Sequence, residues 1–535
     1  MLPRGEPITT GQSVTCEYGV GLNLGLSSDL VAALLFSVIV AACGGTVAPV
    51  AGTLDKQIEP EGERVTVTAD FDSPEQDAGR LITRAMLLHD EGDYQPTLHM
   101  LTEAIRLHPD NPNGYYFRAN AYRALGDLTA AVKDYTATVD LDPTYLEAFI
   151  RRGASLGSLG DLSGAALDFS AAIELDPDGA DLFRNRALAL YQLGRTDQAI
   201  SDLDVAIELD PSMAVAYNDR GLAYVQLGDY LRAIDEYTRA IELEPRMASA
   251  HVNRGTAYQA LTNFQWAVDD FDEAIRLNPD FAANYNNRGN AYRGLKRYEE
   301  AIADYDRSIQ LDPNSAAAFF NRALTFEQMG MTDDTVRDFG TAIRLDPGFA
   351  EAYFRRAGTV GNMGEFEAAI SDLDIAIGLD PGHAGAYRSR GAARYRLGDV
   401  HGAVADLNVS IQLDPEVSDA YNDRGAFQLE LGDAVSALMD FDRAVGLDPD
   451  SPMARSNRAR FHLATGNHAA AIDDLTALIR LSPDDPDAYA KRARAYTLAG
   501  QLELARQDIF TLDRLGLDTT QLEEALGLKP TDSDG

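Results

Sequence analysis

Proline returns every 34 residues through most of this chain, at Pro109, Pro143, Pro177, Pro211, Pro245, Pro279, Pro313, Pro347, Pro381, Pro415, Pro449 and Pro483, without one insertion. Most of these prolines stand in Leu-Asp-Pro or a close variant. A fixed period of this length dictates an array, one supersecondary unit used again and again. Proline lacks an N–H and pushes the residue before it out of the helical region, so each one closes a unit and opens the next.

Counted from residue 78, thirteen units of 34 residues run to residue 519, the last without the proline. Position 8 holds Gly or Ala, as in Gly153, Gly221, Gly255, Gly289, Ala323 and Ala357. Position 20 is Ala except for Thr97 and Thr335, and position 24 is a large apolar residue such as Tyr135, Phe169, Tyr305, Phe339 or Phe441. A glycine within a helix costs about 1 kcal/mol relative to alanine. Its recurrence therefore points to two helix backbones in close approach, with the residue at position 24 filling the space. Glycine at position 15, as in Gly126, Gly194, Gly228 and Gly398, ends the first helix of each unit. One hairpin cannot bury its apolar face alone, so the units must stack on their neighbours.

The period and this internal pattern resemble the tetratricopeptide repeat family, whose unit is a pair of antiparallel helices. The resemblance covers residues 78–519 and implies an all-α, right-handed superhelical solenoid of about thirteen helical hairpins. After it, Thr520-Gln521-Leu522-Glu523 reads as a capping box opening a last helix through Leu526. Residues 520–535 are thus expected to form a capping helix and a short tail.

Repetition also separates framework from ligand. Position 7 is arginine in all thirteen units, from Arg84 through Arg288 to Arg492, and position 23 is acidic in all but the first, where Met100 stands. The two positions lie at similar heights on antiparallel helices, which predicts a partly buried Arg–carboxylate pair in or between units. In the family the first helices line the concave surface, with ligand-facing residues at positions 2, 5, 6, 9, 12 and 13. The family's carboxylate clamp would need lysines where Asn286 and Glu351 stand, although Asn290, Asn321 and Arg355 fit its other positions. A full clamp is therefore not expected. What is left is a mixed patch of Asn286, Asn290, Arg293, Phe320, Asn321, Phe354 and Arg355. Its amides suit a peptide backbone, its arginines an acidic side chain, and its rings an apolar anchor.

The N-terminal part reads as an address. Leu30–Val40 is the most apolar run, too short for the about 20 residues needed to cross a bilayer but of the length of a secretory h-region. Val40-Ala41-Ala42-Cys43 resembles a bacterial lipobox, which implies a signal peptide over residues 1–42 and lipidation of Cys43. The preceding region departs from the pattern, with Arg4 against Glu6, Glu17 and Asp29. Residues 43–77, rich in Gly, Pro, Thr and Glu, read as a flexible tether.

Composition removes several functions. With 84 acidic and 46 basic residues the net charge is −38, which repels phosphate backbones and argues against a nucleic-acid partner. Membrane association is expected through the N-terminal lipid only. Cys16 and Cys43 are the only cysteines, so the repeats hold no thiol nucleophile or thiolate metal site. The eight histidines are scattered, without HExxH, and no P-loop, GxSxG or dinucleotide fingerprint occurs. No enzyme, cofactor or metal is expected. The resemblance implies a scaffold for protein or peptide partners, exported and lipid-anchored, serving assembly of an envelope complex. A soluble cytoplasmic adaptor, an accessory subunit presenting substrates to a separate enzyme and a structural spacer are the other readings.

Overall fold

The computed structural model describes residues 73–527. The expected signal peptide, Cys43, most of the tether and the end of the tail lie outside the described residues. Those residues form 27 helices, paired in successive antiparallel hairpins. They fall into two compact units divided between Pro313 and Asn314, the first holding repeats one to seven and the second repeats eight to thirteen.

Within a repeat the boundaries follow from local chemistry. In the second repeat the first helix is Pro112–Ala124 and the second is Leu128–Leu141. Gly126 takes the left-handed conformation at φ 82°, and Asp127 N–H donates to Tyr122 O at 2.9 Å, which reverses the chain. The Asp127 carboxylate then accepts from Ala130 N–H at 3.0 Å and caps the second helix. Asp161, Asp229, Asp399 and Asp433 do the same in their repeats.

The core is a row of identical contacts. Tyr135, Tyr237, Phe271, Tyr305, Phe339 and Phe441 are fully buried, each against the small residue at position 8. A Cβ on Gly221 would lie 2.5 Å from the Tyr237 ring and one on Gly289 2.7 Å from the Tyr305 ring, so glycine lets these helices meet. Neighbouring first helices also approach each other, Ala214–Gln226 touching both Ala180–Gln192 and Ala248–Ala260, whereas no two second helices come as close. First helices therefore gather on the tighter side of the stack within each compact unit.

Two boundaries differ from the sequence reading. The first helix starts at Pro74, not at 78, because Ser73 Oγ accepts from Gln76 N–H at 3.3 Å and proline suits the first helical position. The closing helix, Thr520–Ala525, has no capping box. Thr519, not Thr520, takes the cap position, and its hydroxyl donates to Asp513 at 2.6 Å.

Candidate functional site

From the second repeat on, the constant arginines are engaged by the framework. Arg288 donates through Nε and Nη2 to both Asp304 oxygens at 2.7 and 2.6 Å, and through Nη1 to Asp272 of the preceding repeat. Its hydrogen bond to Asp304 holds the guanidinium above its ordinary range. The rings of Tyr285 and Tyr292 each lie 5.7 Å from it. An Arg–carboxylate pair recurs in every repeat after the first, through Nη2 alone in Arg220–Glu236, and the third arm reaches Thr102, Thr136, Ser170, Asp204, Thr238, Asp374, Asn408, Asp442 or Thr476. Each of these arginines thus ties its own two helices together and the repeat before them, whereas under Arg356 the matching position is Gly340, which has no side chain to accept.

Positions 5 and 6 form a second seam, between neighbouring first helices. Buried Arg184 donates to Asp219 at 2.6 Å, Asn253 to Asn218 at 2.9 Å, and Asn457 to Asn422 at 2.9 Å. Burial pushes the Asp219 carboxyl up, while Arg184 pulls it back down. These residue types face a ligand in the sequence reading; in the fold many of them face each other.

That seam sorts the expected patch. Asn286 is only 4% exposed at position 5, and Phe320 is 6% exposed, packed on Phe339 and Phe349 with ring centroids 5.5 and 4.6 Å away. Burial removes both from the reachable surface, a correction to the sequence reading. Asn290 is half-buried, its Oδ1 accepting from the Tyr305 hydroxyl at 2.9 Å and from Arg293 Nη2 at 3.3 Å. Half-buried Phe354 packs on His383 at 4.4 Å, and exposed Arg355 pairs with Glu351 at 2.6 Å. Glu351 also lies 3.5 Å from His383, whose imidazole it holds above the ordinary range. Asn321 is half-buried. The patch does not belong to one compact unit: Asn286, Asn290 and Arg293 lie before the division at Pro313, the other four after it.

The structure adds residues that the patch left out. Asn120 accepts from the Tyr135 hydroxyl at 2.6 Å, with Arg123 beside the same phenol, repeating the arrangement of Asn290, Tyr305 and Arg293. The signal was in plain view, since Asn-Ala-Tyr-Arg occurs at 120–123 and again at 290–293. Among the described residues no helix is long and apolar enough to cross a membrane, and no group of acids and histidines could hold a metal ion.

Profiles described as TPR repeat match residues 156–194, 188–228, 221–261 and 289–330. Profiles described as tetratricopeptide repeat match 82–145, 248–281, 271–303, 361–418 and 456–512. The chain belongs to the tetratricopeptide repeat family, whose scaffolds bind protein and peptide partners and are generally non-catalytic. No curated protein matches it. Similar solved structures include the APC/C hetero-tetramer Cut9–Hcn1, 15% identical over 79% of this chain and 98% of that one, with a TM-score of 0.41. Yeast Tom70 is 19% identical over 77% and 98%, with a TM-score of 0.35. YrrB, described as a TPR protein with an unusual peptide-binding site, is 26% identical over 34% and 95%, with a TM-score of 0.29.

Proposed function

We propose that this chain is a non-catalytic scaffold that holds extended peptides or partner helices against the face of its first helices, in the assembly of an envelope complex. One observation carries the binding reading. Arginines and acids at positions 7 and 23 are constant and occupy each other, whereas residues at positions 9 and 12 on the same face vary from repeat to repeat and retain donors. A framework needs sameness; a specific surface needs difference. Asn290 and Arg293 of the sequence-derived patch still meet that description, while Arg355, at position 6, is exposed and pairs with Glu351.

The binding reading is tested by partner recovery from membrane extracts with the Asn290→Ala, Arg293→Ala, Arg355→Ala triple variant. Loss of partners that the wild-type chain retains supports it, and undiminished recovery removes these residues from the surface. The envelope setting rests on the apolar run Leu30–Val40 and on Val40-Ala41-Ala42-Cys43, with Cys43 as the lipidated residue. Palmitate labelling that vanishes in Cys43→Ser supports the anchor; an unlabelled wild-type chain sinks it.

A further inference from the structure

We propose that Arg123 and Arg151 form an anion site on the first-helix face of repeats two and three, one that takes the carboxylate of an acidic residue in a partner peptide. The proposal deepens the scaffold reading and rests on it. The repeats supply the control. Position 12 of one repeat meets position 6 of the next: Gln259 Nε2 donates to Asn287 O at 3.3 Å, and Glu327 lies within the field of Arg355. Neutral or opposite groups meet at those junctions. At the junction of repeats two and three the same two positions hold arginine and arginine.

Both guanidinium groups act electrostatically on one oxygen, the Tyr135 hydroxyl. Tyr135 is fully buried and its hydroxyl donates to Asn120 Oδ1 at 2.6 Å, which turns the Asn120 amide N–H groups away from the phenol as free donors. Burial pushes the Tyr135 hydroxyl up to about 12, and Arg123 and then Arg151 are the cations that oppose this. Among the described residues neither arginine makes an ion pair with a carboxylate, Glu147 one turn before Arg151 included.

Arg151 is half-buried and Arg123 exposed; the repulsion between their like charges is relieved when an anion sits between them. A carboxylate offers about four lone-pair directions, enough for two guanidinium groups and the amide together. The acids elsewhere on this chain of net charge −38 do not cancel the attraction, because beyond about 10 Å they are screened at 0.1 M salt. Tyr116, tilted between Tyr135 and Tyr145 at 5.9 and 4.8 Å, adds an aromatic wall, so an acidic residue flanked by apolar ones fits best.

The test uses the full chain with a fluorescein-labelled octapeptide GYLELGSG and its twin with glutamine in place of glutamate, read by fluorescence anisotropy. Wild type is expected to bind the glutamate peptide about tenfold tighter than the twin. Arg123→Gln and Arg151→Gln should each abolish that preference, while Arg195→Gln, at an exposed arginine in a turn, leaves it intact. Circular dichroism checks that each variant is folded. A second readout is independent of affinity: the glutamate peptide raises the Tm of wild type and not of Arg151→Gln. Equal affinity for the two peptides, or a preference that survives both substitutions, overturns the anion site. Equal and measurable affinities would leave the scaffold reading standing without it.

Discussion

Tyr135, Tyr237 and Tyr305 occupy position 24 of their repeats and are equally buried, yet their hydroxyls fare differently. Tyr135 and Tyr305 donate to Asn120 and Asn290, whereas Leu222 stands in the asparagine's place beside Tyr237, whose hydroxyl has no protein partner. Tyr305→Phe is therefore expected to cost about 1 kcal/mol, and Tyr237→Phe to be neutral or stabilising, in urea titrations of the two variants. A comparable contrast separates the ion pairs. Asp304→Asn leaves half-buried Arg288 with only the exposed Asp272 as a carboxylate partner and should cost about 3 kcal/mol, whereas Glu273→Gln, which loosens the exposed pair with Arg276, should change stability by less than about 0.5 kcal/mol. The Arg–acid pair was legible in the sequence because both columns are constant. Its third arm was not, because position 25 changes among Thr, Ser, Asp, Asn and, at Gly340, Gly, and only the fold places it under the guanidinium.

At the scale of the helical hairpin, position 15 demands a left-handed residue, and eleven repeats supply glycine there, with φ between 72° and 87°. Repeats six and seven hold Thr262 and Lys296 at φ 60° instead. A side chain in that region costs about 1–2 kcal/mol, more for a β-branched one, and glycine returns under 1 kcal/mol of it as chain entropy. Thr262→Gly and Lys296→Gly should each stabilise the chain by roughly 0.5–1 kcal/mol, Thr262→Gly more, seen as a rise in Tm. Helix boundaries were legible wherever glycine, aspartate and proline fall at fixed offsets. They were misread at both ends of the array, where Ser73 with Pro74 and Thr519 with Asp513 replace the repeat's own punctuation.

At the scale of the whole molecule, each repeat within a compact unit contacts its neighbours and little else, so damage should stay local. Leu522 and Leu526, with Tyr496, pack against the buried Ala493, Ala505 and Ile509 of the last repeat. Replacing both leucines with aspartate should speed amide exchange in Pro486–Leu498 and Leu502–Arg514 while leaving Leu128–Leu141 unchanged, as hydrogen-exchange mass spectrometry would show. Uniform loss of protection along the chain would contradict this near-neighbour picture.

The sequence by itself determined the repeat, its hairpin, the small-against-large core and the Arg–acid pair, because each of these is written as a nearly constant column and short-range physics acts on it in the same way from repeat to repeat. Tertiary structure decided which variable polar residues are reachable. Asn286, Asn290 and Asn120 are the same residue type on the same helix face, yet Asn286 is buried between helices and the other two are held half-buried by tyrosine hydroxyls. Whether an amide meets a neighbour or solvent depends on the residue one repeat away, and stacking alone brings the two together. That is also why Arg123 and Arg151, unremarkable 28 positions apart in the chain, become a pair only in the fold.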